Sequence, residues 1–117
     1  MEAMNTHVRA IGLAEEVEPV YIREKLLRKL RKYRRSIERI SVRLTDVNGP
    51  RGGADQRCRI KVVLSALPSV VIERQHAQVQ AAIDTAVHAT TEAVRRIVGR
   101  RRMKRLHGRS RVVSERQ

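Results

Sequence analysis

The sequence has no tryptophan, no phenylalanine and only two tyrosines, Tyr21 and Tyr33, in 117 residues. Its core must therefore be aliphatic. The expected strands hold no Phe, Tyr or Trp on which to stack bases, which is how single-strand binders and sheet-surface RNA readers work. Cys58 is the only cysteine, which excludes an intramolecular disulfide and fits a reducing, cytoplasmic compartment. Apolar stretches are short and broken by charge, so no segment is expected to span a bilayer. The acids of "AEEVEP" interrupt the first twenty residues, which do not read as a secretory signal. His7, His76, His88 and His107 are scattered, and no Cys/His/Asp cluster has metal-ligand spacing. No nucleophile–base pair emerges from spacing. The expectation is a protein that is not an enzyme, with no cofactor, no metal and no small-molecule substrate.

Positive charge is abundant. There are 26 Lys and Arg against 12 Asp and Glu, a net charge of +14. A small domain this basic repels itself and suits a polyanionic partner. The charge is clustered, with eight bases in residues 23–35 and ten in 95–116. Arginine predominates, and its planar fork matches phosphate.

Hydrophobic periodicity predicts one α+β domain. Residues 5–12 read as a short strand, with Thr6, Val8 and Ala10 on one face and His7, Arg9 and Ile11 on the other. Residues 19–35 read as a helix with Ile22, Leu26, Leu30 and Tyr33 in its stripe and Pro19 at its first position. Residues 38–47, 57–67 and 70–75 read as strands. In the first two, Ile40, Val42, Leu44, Cys58, Ile60, Val62 and Leu64 point inward, and Arg43, Arg59 and Lys61 point away. Residues 77–98 read as a second helix with an apolar stripe from Val79 to Val98; Gly99 either ends it or is passed by a helical basic run. The order β-α-β-β-β-α is satisfied by a four-stranded sheet with two helices packed on one face. Residues 1–103 form the expected domain, and 104–117 a basic, mobile C-terminal arm.

The glycine-rich stretch "NGPRGG" (48–53) raises the question of a phosphate loop. Such a loop needs a helix after it and a closing Lys-Ser/Thr pair. Here a strand-like "DQRCRIKV" follows, so a hairpin turn is the better reading.

"RLTDVNGPRGGADQRCRIKVVL", followed by "VQAAIDTAVHATTEAVRR", resembles the ribosome hibernation-promoting factor and ribosome-associated inhibitor family, also labelled sigma-factor modulation proteins. "KLRKY" at 29–33 and "AAID" at 81–84 sit where that family has similar residues, and the element order matches over about residues 5–102. The resemblance implies a double-stranded-RNA-binding-domain-like fold. It also implies a partner, the small ribosomal subunit (rRNA) near its decoding region, where family members exclude tRNA and mRNA from idle ribosomes. Three positions depart from the family pattern. Gln80 stands where an aromatic residue is common, and Ala89 and Glu92 where basic residues are common. No second domain follows the tail, so this chain is not expected to pair ribosomes alone.

The expected RNA-binding residues are Lys25, Arg28, Lys29, Lys32, Arg95, Arg96, Arg100, Arg101 and Arg102. On the first helix, eight bases against two acids leave few of the i,i+4 pairs that a merely soluble helix would use. For Arg43, Arg59 and Lys61, a secondary contact and simple surface protection stand level. The rival functions are a generic double-stranded-RNA or nucleic-acid binder and a protein-directed transcription regulator. Membrane binding is not expected, because the core needs the first helix's apolar stripe. The free protein is expected to be monomeric.

Overall fold

In the computed structural model the backbone is described for residues 5–11, 19–47 and 55–114, and side chains for the same residues except 10, 11, 19 and 102–114. The elements are β1 (Asn5–Ile11), α1 (Pro19–Leu30), a 3-10 helix (Arg31–Ser36), β2 (Ile37–Asp46), β3 (Gln56–Leu64), β4 (Val70–His76) and α2 (Val79–Ser114). They form one sheet in the order β1-β2-β3-β4. β1 is parallel to β2, with α1 as the crossover such a pair requires, while β2, β3 and β4 are antiparallel. α1 packs against β1, and α2 packs against β3 and β4. The predicted α+β architecture is present.

The core follows from two periodicities meeting. Every second residue of β2 from Ile40 to Leu44 and of β3 from Cys58 to Leu64 is buried. Ile22, Leu26 and Leu30, four apart on α1, are fully buried above them. The α2 stripe contributes Val79, Ile83, Ala86, Val87, Val94 and Val98, joined by Ala82. Cys58 is a core residue whose thiol burial pushes its pKa up to about 12, which leaves it protonated and inert. Among the described residues, no helix is long and apolar enough to cross a membrane.

The "NGPRGG" tip lies outside the described residues, but its flanks settle the connection. Asp46 pairs with Gln56, and the Val47 amide donates to the Asp55 carbonyl at 3.0 Å. The segment joins two antiparallel strands and leads into β3, not into a helix, as a hairpin requires.

Three boundaries differ from the sequence reading. The helix expected over 19–35 is α-helical only to Leu30, then tightens to a 3-10 helix. The spacing allows it. Leu30 and Tyr33 are three apart, a spacing that both helix types keep on one face, so the tightening leaves both buried while it brings the chain into β2 at Ile37. β3 ends at Leu64, short of the expected 67, because the Ser65 amide turns to the Ser36 carbonyl (2.8 Å) and Ala66 adopts a positive φ of 58°. α2 starts at Val79 and its backbone stays helical through Gly99 to Ser114, so residues 104–114 of the expected arm continue the helix. A Cβ at Gly99 would meet nothing within 4 Å, so close packing does not demand glycine there. Good helix formers on both sides carry the turn across it.

Thr90 sits in the α2 stripe, fully buried, with no hydrogen-bond partner for Oγ1. A buried unpaired hydroxyl costs about 1–3 kcal/mol, and valine has nearly the same shape. Thr90→Val should therefore stabilise the fold by about 1 kcal/mol, read as a higher urea midpoint with an unchanged slope.

Candidate nucleic-acid interface

α1 and α2 lie side by side and run in the same direction. Gln80 Nε2 donates to the Tyr21 hydroxyl at 2.7 Å, and Lys25 Nζ donates to Asp84 Oδ1 at 2.7 Å. Both pairs are 59 residues apart in sequence, so one turn along α1 matches one turn along α2. Further along, the 3-10 helix that carries Tyr33 also packs against α2. The basic end of α1 and the basic part of α2 thus belong to two adjacent, parallel helices.

The expected contact residues divide by what engages them. Arg28, Lys29, Lys32, Arg96 and Arg100 are exposed, and no described carboxylate pairs with them. Lys32 also lies over the Tyr33 ring, 5.6 Å from its centroid. Three others are held. Lys25 is ion-paired to Asp84. Arg95 is paired to Glu92, whose carboxyl it lowers below the usual range, chiefly through their hydrogen bond. Arg101 is partly buried, and its Nη1 donates to the Ser65 carbonyl at 3.0 Å, tying α2 to the β3–β4 turn. Arg102 lies on the α2 backbone, with its side chain outside the described residues.

Asp84 belongs to this account. A carboxylate early in a helix is explained by the helix dipole, but here it also binds Lys25 from the neighbouring helix and accepts from Gln80 at 3.1 Å. Its hydrogen bond is the largest cause of a raised Lys25 pKa. A lysine raised in the folded state contributes stability below its unfolded pKa, near 10.4. That contribution is lost as pH rises through the raised folded value. Asp84→Asn should flatten the alkaline part of the stability–pH curve, measured by denaturation from about pH 9 to 11. It should also tighten RNA binding by about two- to fivefold, the scale of one exposed charge.

The sheet's outer face carries a second basic group. Arg9 pairs with Arg43 and Arg43 with Arg59, which forms a row across three strands; His7, Ser41 and Lys61 form the next. Sequence alternation places Arg43, Arg59 and Lys61 on that face. It does not bring Arg9 beside them, because only the parallel β1–β2 pairing does so. No group of three or more described His, Cys, Asp or Glu residues could hold a metal ion, and His88 lies exposed on α2.

The family described as sigma 54 modulation protein / S30EA ribosomal protein matches residues 12–102. The chain is similar to the Thermus thermophilus Protein Y N-terminal domain, with 28% identity and a TM-score of 0.62 over 80% of this chain and 98% of that one. It also shares its fold with a ribosomal subunit interface protein from Coxiella burnetii, with 14% identity and a TM-score of 0.59 over 80% and 96% of the two chains. No curated protein sequence matches it.

Proposed function

Because the chain belongs to the sigma 54 modulation protein / S30EA ribosomal protein family, we propose that it is a ribosome-associated hibernation factor. In this reading it binds small-subunit rRNA near the decoding region and excludes tRNA and mRNA by occupancy. Steric exclusion needs affinity and an address but no covalent step. The observation that carries the reading is that Arg28, Lys29, Lys32, Arg96 and Arg100 are exposed on two adjacent helices, and no described carboxylate forms an ion pair with them. The scarcity of aromatic residues supports recognition through phosphates and the shape of folded RNA.

The test is sedimentation of the purified chain with separated ribosomal subunits and, in parallel, with naked duplex RNA. Preference for the small subunit supports the ribosomal address, whereas equal affinity for both favours a generic RNA binder. The double variant Arg28→Glu/Lys29→Glu should bind small subunits about 100-fold more weakly, with a shallower salt dependence. Its melting temperature should stay near wild type, since both side chains are exposed. Unchanged association would show that the first helix is not the footprint.

A further inference from the structure

We propose that the outward face of the sheet is a second RNA-backbone site, so that the domain grips two RNA segments, one on each side. This rests on the ribosomal reading above and adds to it. The helical cations lie on the solvent side of α1 and α2, which cover the inner face of the sheet. The second group lies beyond the opposite face. The two groups therefore point in different directions, with Arg23 of α1 bordering the second.

The arrangement on that face is costly for the fold alone. Arg9, Arg43 and Arg59 stand directly opposite one another across β1, β2 and β3. Like charges at opposed sheet positions destabilise the pairing. Among the described residues the row has one ion-pair partner, Glu73, whose Oε2 lies 3.8 Å from Arg59 Nε, and it pairs only the last of the three. Lys61 extends the charge into the next row. Together with His7, Ser41 and Arg23 from α1, these side chains line one open hollow.

The chemistry of the hollow selects its ligand class. Guanidinium and ammonium groups with a hydroxyl and an imidazole suit phosphate oxygens. The cations also run across strands spaced about 4.8 Å apart, which makes an extended row, not a compact socket. An extended row fits successive phosphates of a nucleic-acid strand. No described Phe, Tyr or Trp lines this hollow, and its cations outnumber the one imidazole, so the contact is chiefly to the backbone.

The experiment compares wild type with Arg9→Gln/Arg43→Gln/Arg59→Gln in small-subunit binding across a salt series. The triple variant should bind at least tenfold more weakly, and the slope of log affinity against log salt should become shallower by about 2.7, or 0.9 per lost phosphate. Its melting temperature should rise, because the opposed charges are gone; that separates lost binding from lost folding. A photoreactive phenylalanine analogue at Ser41, and separately at His88, should crosslink to two different rRNA segments. Unchanged affinity and slope in the triple variant, or Ser41 crosslinks only to ribosomal protein, would overturn the second site while leaving the helical one intact. Failure of wild type to sediment with small subunits would instead remove the ribosomal reading, and this proposal with it.

Discussion

Raising monovalent salt from about 50 to 200 mM should weaken small-subunit binding by about 500-fold to 2 × 10⁴-fold. The expectation comes from counting cations. Each phosphate neutralised by Lys or Arg releases condensed counterions and adds about 0.9 to the slope of log affinity against log salt. The helices offer Arg28, Lys29, Lys32, Arg96 and Arg100, none of them ion-paired to a described carboxylate. Those five predict a slope of about −4.5, and the three sheet arginines would steepen it to about −7. Held cations such as Lys25 and Arg95 contribute less, because binding RNA must first break their pairs with Asp84 and Glu92. Filter binding or sedimentation at four or five salt concentrations measures the slope. A slope shallower than about −2 would mean that phosphate neutralisation does not drive the complex, and would favour a protein partner.

Leu30→Ala should cost about 2–5 kcal/mol of stability, the range for removing a buried leucine side chain. A domain of this kind has only about 5–15 kcal/mol in total. Leu30 is 0% exposed and ends α1 where the chain tightens into the 3-10 helix. With Tyr33 it holds residues 31–36 against the core, and so places Lys29 and Lys32 beside α2. The variant should therefore lose ribosome binding together with stability, whereas Arg28→Glu/Lys29→Glu loses binding alone. Urea denaturation followed by circular dichroism separates the two: a midpoint within error of wild type would mean that the junction relaxes without a cavity, contrary to the packing described here.

Much of the fold was legible because its signals are local. Alternation in "RISVRL" and "RCRIKVVL" names the buried face of each strand, and the four-residue spacing of Ile22, Leu26 and Leu30 names the buried stripe of α1. The hairpin followed from what flanks the glycines. The end of α1 was less legible, because a spacing of three between Leu30 and Tyr33 fits an α-helix and a 3-10 helix alike until the sheet beneath selects one. The passage of α2 through Gly99 was equally open, since one glycine lowers helix propensity without forbidding the turn.

The candidate site divides in the same way. By itself the sequence determined how much positive charge there is, which segments carry it, and that aromatic stacking has almost no residues to work with. Only the tertiary structure decided which cations are available. Asp84 is 59 residues from Lys25, yet holds it across two parallel helices. Arg9 and Arg43 become neighbours through the pairing of β1 with β2. Electrostatic energy depends on distance in space, and a linear sequence specifies that distance only within a turn of helix or along one strand.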